Sequence, residues 1–272
     1  MEVYDYTDPI CPFNTDQYRK EPPIRCVPIE RILKKLDEHL SRNDSDSGIR
    51  LLKYWIFEAR IGKDERGELS LLNELMGIYR TSGDKEKAYL HAEEALSLAH
   101  KSEYRESITG ATVSLNAATV YKAFGDPNRA LSLYEQTLSI YRKYLKKDDY
   151  RFGSLYNNMG LVLLDLKNYA RANEFFKNAL SSMEMIEDTE GEQAITYLNI
   201  ADLTASLLGT EKGEKEINIC LDKAENLLES AKKRDGKYAF ICDKCASVFG
   251  YYGRFLYEDI LKKRAKDIYE RN

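Results

Sequence analysis

The chain has 272 residues, 43% of them hydrophobic and 32% charged, with 15 Gly and 6 Pro. That composition belongs to a folded, charge-rich protein and excludes collagen, a mucin-like stalk and low-complexity disorder. The 41 Lys and Arg against 45 Asp and Glu leave a net charge of -4, so the global basic field of a nucleic-acid binder is absent.

Residues 1–27 read as an extended arm. Pro9, Pro12, Pro22, Pro23 and Pro28 crowd the beginning of the chain, where proline forbids regular helix and restricts its predecessor. Tyr4, Tyr6, Phe13 and Tyr18 alternate with Asp5, Asp8 and Asp16. Exposing four large aromatics is costly, so the arm is expected to pack on the rest of the chain as a plug or cap; the alternative is a mobile terminus. The opening Met1-Glu2-Val3-Tyr4 has no positive stretch leading into an apolar core, unlike a secretory signal. No window approaches the roughly 18 apolar residues of a membrane span. Five cysteines, Cys11, Cys26, Cys220, Cys242 and Cys245, are odd in number and irregularly spaced, which does not suit a disulfide framework and points to a reducing cytoplasm.

Residues 28–66 are expected to form an atypical helical hairpin, Pro28–Leu40 and Gly48–Ile61, joined by a polar Ser/Asn/Asp stretch. Repetition dominates residues 67–236. Gly83-Asp84 and Gly125-Asp126 are 42 residues apart, and Ala88, Ala130 and Ala172 follow the same step, as do Leu96, Leu138 and Leu180. Within each unit, apolar residues recur three and four apart, a turn interrupts them, and the helical period resumes. Gly125 supplies a left-handed turn residue, Asp126 a capping oxygen and Pro127 a pre-set first helical position. Each unit is therefore an antiparallel helical hairpin. The pattern loosens downstream, through Tyr197–Asp202 and a second stripe of Ile217, Leu221, Ala224 and Leu228. Residues 237–272 form a last, capping hairpin with Gly253 at its turn. That hairpin is basic, with 11 Lys and Arg against 6 Asp and Glu over residues 231–272, as suits the polar outer face of a terminal repeat.

The units resemble tetratricopeptide repeats. The small-residue slots of that family hold Ala118 and Gly160 in first helices, and Ala88 with Ala95, Ala130 with Thr137, and Ala172 with Ala179 in second helices; Met76 departs from the pattern. Tyr79, Tyr121, Tyr134, Tyr156 and Phe176 stand in its large positions. The step exceeds the family's usual ~34 residues, which is similar to the long-helix variant of kinesin light chains and bacterial peptide-pheromone sensors. The resemblance implies an all-α fold, a right-handed α-α superhelix of about six hairpins whose first helices line a concave groove. An extended peptide or a partner's helix suits such a groove.

Asn116, Asn158 and Asn199 occupy matching places on successive first helices, with Glu74 one unit earlier. A carboxamide is both donor and acceptor, so a spaced row of them can hold a peptide backbone; the resemblance supports that use. The competing role is to bridge neighbouring helices. Asn73, Arg80, Thr119, Lys122 and Asn157 lie within a turn or so. Arg80 and Lys122 could pair with a ligand carboxylate, or simply be solvated charges at helix ends.

Chemistry for catalysis is not apparent. His39, His91 and His100 form no metal-ligand motif, and no phosphate-binding loop or nucleophile elbow occurs. Cys242-Asp243-Lys244-Cys245 falls inside an expected helix and reads as buried thiols rather than a redox or zinc site. Glu74 and Asp202 are the only acid–base candidates. The expected protein is a non-enzyme without cofactor or metal, holding a peptide or protein partner, with no nucleic acid and no membrane. The alternatives are a peptide-pheromone sensor lacking an effector domain and a self-assembling scaffold, which leaves homo-oligomerisation open.

Overall fold

The computed structural model describes residues 24–42, 44–101, 103–184 and 186–270. Most of the expected arm, residues 1–23, therefore lies outside the described residues. Among the described residues there are twelve α-helices and no strand. The chain divides into two compact units that meet at Leu145 and Lys146, a division that falls inside the expected repeat block of residues 67–236.

The first unit holds α1 (Ile29–Leu40), α2 (Ser45–Ile61), α3 (Glu65–Thr81), α4 (Lys85–Lys101), α5 (Ile108–Ala123) and α6 (Pro127–Tyr144). The second holds α7 (Arg151–Asp165), α8 (Tyr169–Met183), α9 (Glu190–Leu208), α10 (Glu214–Ser230), α11 (Gly236–Tyr251) and α12 (Phe255–Tyr269). Helices pair in sequence as six hairpins, and within each unit one hairpin leans on the next: α3 on α5, α7 on α9, and α9 on α11. Neither face of a hairpin can be buried alone, so stability is shared between neighbours.

The turns explain the ruler seen in the sequence. Gly83 and Gly125 have φ of 78° and 82°, and Lys167, one step further on, has φ of 58°. The left-handed residue releases the chain from one helix, and the following side chain caps the next. Asp84 accepts from the Lys87 N–H at 3.1 Å, Asp126 from the Arg129 N–H at 3.2 Å and Asn168 from the Arg171 N–H at 3.4 Å. Lys167 pays a steric penalty of about 1 kcal/mol that glycine avoids at the other two turns.

Between helices, the small slots are filled as their size demands. Ala88, Ala95, Ala118, Ala130, Thr137, Ala172 and Ala179 are all fully buried. Gly160 of α7 lies directly under the Phe176 ring of α8, so close that a β-carbon there would be about 2.5 Å from the ring. Tyr121, Tyr134 and Phe176 fill the gaps and are themselves inaccessible to solvent. Met76, the departure from the pattern, is equally buried. In the second unit Leu221, Phe249 and Leu261 anchor a core into which Cys242 and Cys245 are also packed.

Candidate functional site

The residues singled out from the sequence divide between the two units. Asn73, Glu74, Arg80, Asn116, Thr119 and Lys122 stand on α3 and α5 of the first; Asn157, Asn158 and Asn199 stand on α7 and α9 of the second. Each set is described by itself.

In the first unit α3 borders a recess of about 380 Å³, lined by Leu40 of α1, Ser45 of α2, and Glu74, Gly77, Ile78 and Arg80 of α3, among others. Two predicted residues, Glu74 and Arg80, thus meet at one concavity, which Leu40 and Ile78 also line. Glu74 is exposed to solvent and lines the recess. Loss of solvent around it, reinforced by the nearby Asp37 carboxylate of α1, holds its pKa above the ordinary carboxylate range. Asn73 on the same helix is only 9% exposed, and neither its Nδ2 nor its Oδ1 has a hydrogen-bond partner. A buried carboxamide left unpaired costs about 1–3 kcal/mol, so this is a position the fold alone does not explain.

Across from α3, Asn116 and Lys122 of α5 are half-buried. Thr119 is engaged internally: its Oγ1 donates to the Leu115 carbonyl at 3.0 Å and lies 3.1 Å from the Tyr134 hydroxyl. Burial pushes the Tyr134 hydroxyl up to about 12, with Thr119 and the charge of Arg80 pulling the other way. The charge of Arg80 on α3 is thus felt at the hydroxyl of Tyr134 on α6.

In the second unit the expected in-phase pair of Asn158 and Asn199 is not the pair that bonds. Asn199 Nδ2 donates to Asn157 Oδ1 at 2.9 Å, linking α9 to α7. This is the helix-bridging role, and it falls on Asn157 because that residue, 42 positions before Asn199, stands one full repeat step away, whereas Asn158 is only 41 away. Asn158 stays half-buried beside them. Asp202, an acid–base candidate in the sequence, accepts a 2.7 Å hydrogen bond from the Tyr252 hydroxyl. Burial raises its pKa while that bond opposes the rise, so it ties α9 to the end of α11.

Two residues with structural consequences were not singled out in the sequence. Asp64 is almost fully buried; it caps α3 through the Gly67 N–H at 3.0 Å and accepts from the Val27 N–H at 2.9 Å. An aspartate three residues before a helical glycine is its sequence signal. Asp37 had none, since its closeness to Glu74 depends on how α1 meets α3.

The thiols of Cys220, Cys242 and Cys245 are buried. Burial raises the pKa of all three, that of Cys245 to about 12, so none is a thiolate nucleophile at neutral pH. Among the described residues no group of three or more His, Cys, Asp and Glu side chains is placed to hold a metal ion, and no helix is long and apolar enough to cross a membrane.

Glu74 yields a prediction with a defined sign. Its pKa is raised in the folded state, so folding favours the protonated form; its contribution is most favourable below the ordinary glutamate value of about 4.3 and declines as pH rises through the raised value. Glu74→Gln is expected to raise the melting temperature at pH 7, with the gain disappearing by about pH 4. Thermal unfolding of both proteins across that range checks it; a gain that persists in acid would contradict the assignment.

Paired helices, left-handed turns and small-residue contacts make each unit a stack of helical hairpins, similar to those of tetratricopeptide repeats. The tetratricopeptide repeat family model matches residues 111–149 and 153–186, which are the α5–α6 and α7–α8 hairpins with their following turns. Among solved structures, the chain is similar to BtubC (BKLC) from P. vanneervenii, with a TM-score of 0.52 and 18% identity over 89% of this chain and 91% of that one. It is also similar to TPR-like repeats named for a kinesin light chain of Podosopora anserina, with a TM-score of 0.51 and 13% identity over 72% of this chain and 92% of that one. At these identities the likeness concerns the fold alone. No curated protein sequence matches the chain.

Proposed function

We propose that the protein is a non-catalytic recognition module that holds a peptide segment or a protein partner against the first helices of its hairpins. In the first unit the contact set is Asn73, Glu74, Arg80, Asn116 and Lys122; in the second it is Asn158, with Asn157 and Asn199 as its bonded neighbours. The observation that carries this reading is the unpaired, buried carboxamide of Asn73 on the helix that borders the Glu74–Arg80 recess. A carboxylate and a guanidinium in a recess also lined by Leu40 and Ile78, with a carboxamide donor and acceptor on the same helix, match the mixed chemistry of a peptide, whose backbone needs hydrogen bonds and whose side chains need both charge partners and apolar cover. Repeat families in general use such faces for protein partners, and the tetratricopeptide match supports the same use here. The finer expectation, a cytoplasmic peptide-binding protein, belongs to this proposal.

The test separates binding from folding. Peptides selected from a displayed random library on the full chain should lose at least about tenfold in affinity, ~1.4 kcal/mol, on Arg80→Ala or Asn116→Ala, with thermal stability unchanged. Asn73→Leu should weaken the same peptides while raising stability by about 1 kcal/mol, because it removes an unpaired buried polar group. Selected peptides indifferent to all three substitutions, or an Asn73→Leu protein that is less stable, would defeat the proposal.

A further inference from the structure

The outer face of α2 differs from those of the helices that follow it. Its solvent-facing stripe runs Arg50, Tyr54, Phe57 and Ile61, at helical spacing. Tyr54, Phe57 and Ile61 are 56%, 59% and 60% exposed. The corresponding stripe of α4 is Glu86, Leu90, Glu93 and Ser97, and that of α6 is Asn128, Ser132, Glu135 and Ser139. Two outer stripes of the unit are thus largely polar, as solvent-facing helices are expected to be, while α2 presents three large apolar side chains side by side. Single exposed apolar residues are ordinary; a contiguous row of them marks an interaction surface.

What covers this row is suggested by where the described chain begins. Arg25 is fixed beside the C-terminal end of α2: its N–H donates to the Gly62 carbonyl at 3.2 Å, and its guanidinium pairs with Glu58 at 3.4 Å. Gly62 admits this approach only because it lacks a β-carbon, which would collide with the Arg25 carbonyl oxygen. The preceding residue, Ile24, is 73% exposed, and Phe57 and Ile61 flank the two residues that hold Arg25. Residues 1–23 therefore join the described chain at one end of the apolar row. Their contour length, up to ~75 Å when extended, is ample for a helix of 17 residues that is ~25 Å long.

Composition fits as well as reach. The segment carries Val3, Tyr4, Tyr6, Ile10, Phe13 and Tyr18, and its five acidic residues outnumber its two basic ones. The row is flanked by Arg50 and Lys53, both exposed, whereas Arg60 is already paired with Glu68 and Glu94. Prolines at 9, 12, 22 and 23 suit an extended strip rather than a competing helix.

We infer that the chain's own residues 1–23 dock through their aromatic side chains on the Tyr54–Phe57–Ile61 row of α2. This surface is separate from the recess proposed for a partner, and its test does not depend on that proposal.

Full-length protein with Phe57→p-benzoylphenylalanine, irradiated and mapped by mass spectrometry in an equal mixture of light and heavy nitrogen, reads the contact directly. Bonds from position 57 to residues 1–23 within one isotopic species are expected. Bonds between species would assign the row to a second copy, and products confined to residues 24–270, or none, would leave it bare; each overturns the inference. Amide hydrogen exchange on the intact chain gives an independent reading. Phe57→Ser with Ile61→Ser, both exposed and tolerant of polar replacement, should speed exchange of residues 3–13 at least tenfold, and equal rates in variant and parent would likewise overturn it.

Discussion

Phe176→Ala is expected to lower the stability of the second unit by about 3–5 kcal/mol, the range for truncating a fully buried aromatic. Phe176 of α8 is inaccessible to solvent and lies against Gly160 of α7. The glycine has no side chain with which to fill the space the ring would leave, and its neighbours Met159 and Leu163 are already packed. Collapse into the cavity is therefore poor, which places the cost toward the upper end of that range. Guanidinium unfolding followed by far-ultraviolet circular dichroism measures it. The pair of residues also makes a cycle. Gly160→Leu alone should clash with the ring, and in combination with Phe176→Ala it should recover part of the loss, because volume is returned to the same contact. A double variant no more stable than Phe176→Ala would show that the two helices do not meet through this ring.

The second large effect is expected at Gly110, near the start of α5. Alanine is the better helix former by about 1 kcal/mol, so propensity alone predicts that Gly110→Ala stabilises. Packing predicts the reverse. A β-carbon at this position would run into the Tyr104 carbonyl oxygen, which belongs to backbone and cannot swing aside. That same carbonyl accepts from the Ser107 hydroxyl at 2.8 Å, and Ser107 caps α5 through the Gly110 N–H at 3.1 Å. Displacing the carbonyl therefore disturbs the cap as well as the turn. We expect a net loss of about 2–3 kcal/mol. Trp55, the chain's single tryptophan, lies on α2 of the same unit and can report the transition. A Gly110→Ala protein as stable as the parent would mean that the connection before α5 yields at little cost.

These two glycines show how far the sequence could be read. Gly160 was legible, because it sits on the 42-residue ruler in a slot where Ala118 sits one unit earlier. Gly110 was not, since its neighbour is a carbonyl in an irregular connection whose path no periodicity records. The same distinction runs through the candidate site. That Asn116, Asn158 and Asn199 share a phase follows from counting. Asn199 is 42 residues from Asn157 and 41 from Asn158, so the strict step already favours Asn157, but that the two carboxamides come within 2.9 Å depends on how α9 packs on α7. Glu74 was placed by its register with Asn116, while its raised pKa comes first from loss of solvent around it in the folded unit and then from the Asp37 carboxylate that α1 brings near. Thr119 shared the phase of the site, yet its hydroxyl is engaged by Leu115 and Tyr134.

The amino-acid sequence alone determined the hairpins, their turns and the alternation of small and large residues between them. Those features are local or strictly periodic, so each is written within a few residues or one step of the chain. Only the tertiary structure decided which polar side chains find partners, where the chain divides at Leu145 and Lys146, and that α2 exposes an aromatic row while α4 and α6 do not. Those outcomes depend on the slide and rotation of one helix against another, quantities set by the summed packing of many contacts and carried by no single residue or spacing.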